Sequence, residues 1–402
     1  MEQDTLLGRI ENKMRDLQMP VSITLWDGRR VATDGAADVD VTIHSPKVLT
    51  SLIHPSMGKL ARHYVEQQLD LKGEPRQIIR LGEALSGSPG ASSLAGSRLR
   101  KWIGHTRVFD RKAIHHHYDV SDDFFGLWLD TRRVYSCGYF RRADDTLDLA
   151  QEQKLDHICR KLMLKPGERF LDIGCGWGAL IRWAAQHYKV RATGITLSQN
   201  QYEYARQRIQ EENLADSCDV QLLDYRDVDE SEPYDKIASV GMFEHVGRRN
   251  LPMYFGKIFR LLKPGGLVMN HGITLNSTEQ RELGSDIGSF IDEYVFPGGE
   301  LTHISHVICE MSEQGLESWD VESLRPHYAR TLWHWVERLE ANAERALAYV
   351  GERNYRVWRI YMAGSAHAFE RGWMSIYQVL AGKPLANGRL GVPSTRDYIY
   401  AG

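Results

Sequence analysis

No run in this chain approaches the ~18 consecutive apolar residues that a membrane-spanning helix requires, so contact with a bilayer is expected to be peripheral. Cysteine is scarce. The five (Cys137, Cys159, Cys175, Cys218, Cys309) are odd in number and none forms a C-x-x-C pair, which leaves no disulfide framework and no zinc motif. Free thiols in a reducing cytoplasm fit that pattern. An excess of either charge is absent too: 50 Lys and Arg stand against 53 Asp and Glu, for a formal net charge of -3. That balance offers no surface for a polyanion and argues against nucleic acid as a partner. The opening MEQDTLLGRIENKM lacks the apolar core of a signal peptide. His115, His116 and His117 are adjacent and point in different directions, so no metal site is expected.

What the chain does have is FLDIGCGWGAL at residues 170–180. An apolar run (Phe170, Leu171, Ile173) ends in Gly174, Gly176 and Gly178, and the amphipathic ALIRWAAQHY follows at once. The pattern predicts a strand, a tight glycine turn and a helix. Glycines suit such a turn because a Cβ would keep the backbone from a ligand lying across it. The ligand then meets free N–H groups at a helix start. Dinucleotide-binding folds use similar glycines, so the context has to decide.

Before this turn, residues 3–18 place Leu6, Leu7, Ile10, Met14 and Leu17 on one helical face. Val21–Trp26 and Val31–Thr33 flank Asp27-Gly28 as a hairpin. A strand at Val39–Ile43, a helix around Leu60–Leu69 and the amphipathic segment 76–85 complete a small α+β domain over residues 1–85. Residues 86–97, SGSPGASSLAGS, read as a linker. Residues 98–402 form the larger domain, with a helix at about 147–163 leading into the glycine turn. From 168 to 275 strands (ERFLDIG, KVRATGIT, CDVQLLD, KIASVGMF, LVMNHGI) alternate with helical segments, the pattern of an α/β parallel sheet covered on both faces. Further strands are predicted at Leu316–Leu324 and Ser375–Leu380. The aromatic-rich helical stretch between them, Tyr328–Gly372, reads as core packing or as the lining for a long apolar substrate.

Ligands of an open α/β sheet bind outside the carboxyl ends of its strands. The groups delivered there are the glycines 174–178, Thr196, Asp224 with Tyr225, Glu244 with His245, and His271. The second strand ends GITLSQNQ, without the acid expected of a nicotinamide enzyme; Thr196 and Gln201 could bond a ribose, while Ser198 and Gln201 also spell a capping box. Asp224 is placed to accept from an adenine amino group. An acid such as Glu244 is also suited to capping the following helix.

In order and spacing, LDIGCGWG, GITLSQNQ, LLDYRD, FEHVG, YSCGYF, HYDVSDDFF and FPGG resemble the cyclopropane-fatty-acyl-phospholipid synthase family of S-adenosylmethionine (SAM) dependent methyltransferases, over about residues 105–400. The N-terminal unit looks like the extra domain of the phospholipid-acting bacterial members, which the shorter mycolic acid cyclopropane synthases lack. The resemblance implies a Rossmann-like class I SAM-dependent methyltransferase sheet with helical insertions. It implies SAM on Gly174, Gly176 and Gly178, with Tyr135 and Ser136 at its methionine end, Thr196 and Gln201 at the ribose, and Asp224 and Tyr225 at the adenine. A bicarbonate would be held by Cys137, Glu244, His271, the backbone of Ile273, and Tyr328. The implied substrate is an unsaturated phospholipid in a bilayer, reached from the cytoplasm at the inner face of the membrane; a homodimer is a common arrangement in the family. Where the family continues FPGG with Leu-Pro-Ser, this chain has Leu301, Thr302 and His303.

Chemistry supports the resemblance. An isolated alkene attacks a sulfonium methyl only where water is excluded and the resulting cation is stabilised, and aromatic faces contribute ~0.5–2 kcal/mol each. The cation must then lose a proton to a base small enough to share the site with an acyl chain. A covalent role for Cys137 is less suited, because an alkene offers a thiolate nothing to attack. Rival readings are alkene methylation without ring closure, small-molecule N-methylation, and a silent lipid-binding protein. Residues 1–85 are expected to be dispensable for SAM binding but needed for efficient work on membranes.

Overall fold

The computed structural model describes residues 8, 19–33, 35–86, 121–278, 283 and 286–400. The helix expected over residues 3–18, the linker beyond Ser86 and the three adjacent histidines lie outside the described residues. Contacts divide the chain into two compact units, Met1–Trp102 with Arg281–Pro297 and Trp335–His367, and Ile103–Gln280 with Gly298–His334 and Ala368–Gly402.

In the first unit the Asp27-Gly28 turn joins β1 (Val21–Thr24) to the antiparallel β2 (Arg30–Ala32). β3 (Val39–Ile43) runs parallel to β1, and its residues alternate buried and half-buried because one face meets the core. The helix expected to run to Leu69 spans Met57–Val65 instead. Gln67 takes a left-handed conformation (φ 56°) that no helix continues, and Leu69–Gly73 becomes β4, antiparallel to β3. Helices Lys47–Ile53 and Pro75–Ser86 cover the sheet, with Leu49, Leu52, Ile78 and Leu81 on its core.

That core is completed from far along the chain. Ile360, on the Ala343–Glu370 helix, packs on it, and Val357 joins Val65, Phe290 and Val295 in a second cluster. Arg359 donates to Glu340 (2.8 Å) and Tyr64 (3.2 Å), Arg356 pairs with Asp70 (2.6 Å), and Arg62 pairs with Asp286 and Glu293. The boundary expected between residues 85 and 98 therefore does not delimit this unit. Its apolar face is closed by residues 281–297 and 335–367.

The second unit holds a seven-stranded sheet in the order β10-β11-β9-β8-β5-β6-β7. β5 (Arg169–Ile173), β6 (Arg191–Thr196), β7 (Cys218–Leu222), β8 (Tyr234–Val240) and β9 (Leu262–Leu275) are parallel, as their order in the sequence predicts. β10 (Glu317–Ser323) and β11 (Met374–Gly382) extend the sheet antiparallel beside β9. Strand order reverses between β5 and β8, the switch point at which open α/β sheets leave a crevice. Helices Leu147–Lys161 and Ala179–Tyr188 pack one face through Leu155, Ile158, Leu180 and Ile181. Leu251–Leu261 and Ile304–Glu313 pack the other through Phe255, Ile258, Val307 and Met311. Each such apolar side chain stabilises the fold by about 1.5–3 kcal/mol.

The aromatic helices Arg325–Ala341 and Ala343–Glu370 are present where expected, and Gly351 (φ 75°) interrupts the second. Trp333, Trp335, Trp358 and Phe369 are buried, whereas Tyr349 is exposed. Among the described residues no helix is long and apolar enough to cross a membrane.

Candidate active site

The glycine turn has the expected geometry. Gly174, Gly176 and Gly178 all have positive φ (80°, 54° and 77°), and Gly178 starts the Ala179–Tyr188 helix. A Cβ on Gly178 would lie 2.9 Å from Ala205, and one on Gly174 3.1 Å from Met242; on Gly176 it would meet nothing within 4 Å. Gly176 is thus the point where the backbone faces open space. Around it lies a crevice of ≈ 150 Å³, lined among others by Tyr135, Ser136, Gly174, Gly176, Thr196, Gln201, Tyr225 and His245.

The sequence-predicted cofactor residues therefore converge, with two exceptions. Gly178 does not line the crevice and serves as the helix start. Asp224 does not line it either, though Leu223 and Tyr225 on either side do. The Asp224 carboxylate accepts from Arg226 Nε (2.8 Å) and Nη2 (2.6 Å). The capping box is also only half made. Ser198 Oγ accepts from the Gln201 N–H (3.4 Å), but the Gln201 side chain takes the Thr196 hydroxyl (2.8 Å) and the Ser198 N–H donates to Thr196 Oγ1 (3.2 Å). Thr196 and Gln201 thus enter the crevice already hydrogen-bonded to each other.

Two crevice residues were missed by sequence reasoning. Asp172, at the end of β5, is buried; its Oδ1 has no hydrogen-bond partner, and burial pushes its carboxyl up to about 7. Lys154, on the Leu147–Lys161 helix, is buried as well, donates to Ser136 Oγ (3.0 Å), and is lowered by burial to about 8. A signal for each existed. Asp172 interrupts an apolar strand, and Lys154 falls between Ala150 and Ile158 on the helix's buried stripe, where charge is costly.

Of the residues expected around a bicarbonate, His271 and Ile273 lie on β9, and Glu244 reaches that strand. His271 is wholly buried, its Nδ1 faces Gln378 Nε2 on β11 (3.1 Å), and its Nε2 has no partner. With the amide donating to Nδ1, the neutral ring carries its proton on Nε2. Burial lowers its pKa well below the ordinary histidine value, which keeps it neutral. Gly272 is glycine because a Cβ would lie 2.1 Å from the Phe243 ring and 2.9 Å from Glu244 Oε1. Ile273, whose backbone is expected at the bicarbonate, donates its N–H to Glu244 Oε1 (2.6 Å).

Glu244 does not cap a helix: no side chain caps the turn Phe243–His245, and its carboxylate goes to β9. Its Oε2 is buried without a partner, and burial raises the group to about 7. The Leu324 carbonyl accepts the Tyr328 N–H (3.0 Å) and lies 3.8 Å from Cys137 Sγ. The Tyr328 ring packs on Phe369 (4.8 Å between centroids). Burial pushes the Cys137 thiol up, so it stays protonated, against a nucleophilic role. At the departure from Leu-Pro-Ser, Thr302 O accepts the Leu275 N–H (3.0 Å) and His303 Nδ1 accepts the Ser305 N–H (3.2 Å), capping Ile304–Glu313. Among the described residues no three or more His, Cys, Asp or Glu side chains are grouped to hold a metal.

Residues 105–379 match the Mycolic acid cyclopropane synthetase family. A "Probable fatty acid methyltransferase" of Pseudomonas putida is 45% identical over 98% of this chain and all of its own length. The "Cyclopropane-fatty-acyl-phospholipid synthase" of Escherichia coli (strain K12) is 32% identical over 89% of this chain and 91% of its own. Among solved structures, mycolic acid cyclopropane synthase CmaA1 complexed with SAH and CTAB superposes with a TM-score of 0.65 at 38% identity, covering 68% of this chain and 98% of that one.

Proposed function

The chain belongs to the mycolic acid cyclopropane synthetase family of SAM-dependent methyltransferases, and on that premise we propose that it transfers a methylene from SAM to the cis double bond of unsaturated phospholipid acyl chains, closing a cyclopropane ring. SAM fits the crevice residues. Gly176 leaves open space that a Cβ would fill, and Asp172 Oδ1 is a buried acceptor lacking a donor, as the cofactor's α-ammonium would supply. When bound, SAM supplies an electrophilic methyl group on a sulfonium.

What the chain adds is a place to leave a proton. The observation that carries this reading is that Glu244 Oε2 and His271 Nε2 are both buried and unpartnered. One accepts and the other, in the neutral ring, donates. A small oxyanion bearing a hydroxyl, such as bicarbonate, would satisfy both, with Cys137 and Tyr328 beside it, and would serve as proton acceptor. The Ile273 N–H orients Glu244 and the Gln378 amide orients His271. The membrane partner is reached peripherally, from the cytoplasmic side.

The test is to incubate unsaturated phospholipid vesicles, and separately the free fatty acid, with enzyme and SAM. Mass spectrometry should show a gain of one CH₂ per alkene on the phospholipid, and proton NMR should show ring protons replacing olefinic ones. A gain of CH₂ with an alkene retained would mean methylation without ring closure. Turnover of the free acid alone would remove the phospholipid.

A further inference from the structure

We propose that Lys154, together with Ser136, binds the carboxylate of the cofactor's amino-acid end, so that the crevice selects a complete SAM-type ligand over a bare thionucleoside. The inference rests on reading the crevice as the SAM site. Lys154 is only 2% exposed, and an ammonium withdrawn from water to that degree costs several kcal/mol unless it is paired and hydrogen-bonded. It has three N–H donors, yet among the described residues it gives one hydrogen bond, to the neutral hydroxyl of Ser136.

The buried acids near it do not supply the rest. Asp130 acts on Lys154 through its charge, while its carboxylate oxygens accept from the Val134 N–H (2.7 Å) and the Arg132 N–H (3.0 Å). Asp172 acts on Lys154 through its charge, while its Oδ1 stays unpartnered. Lys154, Ser136 and Asp172 all line the crevice. A cationic donor and an anionic acceptor, each short of a partner and facing one cavity, match a zwitterionic amino acid: carboxylate to Lys154 and Ser136, ammonium to Asp172. A lysine serving only as counter-ion to Asp130 would not need to reach Ser136.

Calorimetry can separate these roles using S-adenosylhomocysteine and 5′-methylthioadenosine, which lacks the amino acid. Lys154→Met should weaken S-adenosylhomocysteine by about 10–100-fold, the range of a charge-assisted hydrogen bond, and leave methylthioadenosine within about 3-fold. Equal losses for both ligands, or no loss for either, would overturn the proposal. Should the variant fold poorly, the wild-type protein gives the same answer: decarboxylated S-adenosylhomocysteine should bind about 10–100-fold more weakly than the parent, and equal affinity overturns the role of Lys154. Failure of the wild type to bind either parent ligand would instead overturn the reading of the crevice.

Discussion

The cofactor crevice and the surroundings of Glu244 and His271 are built by different means. In the crevice most polar side chains are paired beforehand, Thr196 with Gln201 and Lys154 with Ser136, and the approach to the ligand is made by backbone at Gly176. At Glu244 and His271 one side-chain atom each is buried and left unpaired, and burial drives Glu244 up and His271 down. Glycine serves both, but differently. Gly176 leaves room for a ligand, whereas Gly272 leaves room for Phe243 and Glu244. Burial alters the preferred charge of Asp172 and Lys154 in the crevice as well, so what sets the crevice apart is the backbone opening at Gly176.

The contrast breaks most sharply at Glu244. Glu244→Gln should lower product formation by about 10²–10⁴-fold, the usual contribution of a positioned proton-transfer group, while S-adenosylhomocysteine binds within about 2-fold of wild type. Burial raises the native carboxyl to about 7, so the stability it contributes is complete below its unfolded value and is lost as pH rises through about 7. Glutamine has no such loss. In the ligand-free protein, the variant's stability relative to wild type should therefore rise between about pH 5 and pH 8, as followed by thermal melts. A variant that melts early at pH 8, or turns over normally, would make Glu244 structural.

Gly176→Val should give the converse result. S-adenosylhomocysteine affinity should fall by about 100-fold or more, because the side chain enters the open space and, at φ 54°, the residue is strained by about 1–2 kcal/mol. Calorimetry on a variant with a thermal transition still near wild type checks it, and unchanged affinity would remove the ligand from this turn. The smallest effect belongs to Cys137→Ala, with turnover reduced about 10-fold or less, since a protonated thiol is a weak donor. Complete loss of turnover with binding intact would show that the thiol takes part in the chemistry.

The same contrast governs how much could be read from the sequence. The strand and glycine turn at 169–178 are contiguous, and each glycine reports a local backbone requirement, so the crevice was legible. The parallel strands were legible for a similar reason, as short apolar runs between helical segments. Gln378 carries no motif; it faces His271 only because β11 lies antiparallel beside β9 in that register. The Glu244 bond to Ile273, and the clasp of Asp224 by Arg226, likewise depend on tertiary or turn geometry that spacing does not encode. The resemblance named His271 and Glu244, but not what orients them.

The first unit draws its core from three separated stretches, and this has a consequence during synthesis. A chain emerging from the ribosome presents β1–β4 early, yet Trp335–His367 follows Trp102 by roughly 230 residues, or roughly 10–50 s at ~5–20 residues per second. Throughout that interval the apolar surface later met by Val357 and Ile360 stays unsatisfied. The N-terminal sheet must wait for its partners under whatever chaperone cover the cell provides. Ribosomes stalled before and after residue 367 would carry nascent chains that differ in protease resistance across residues 19–86.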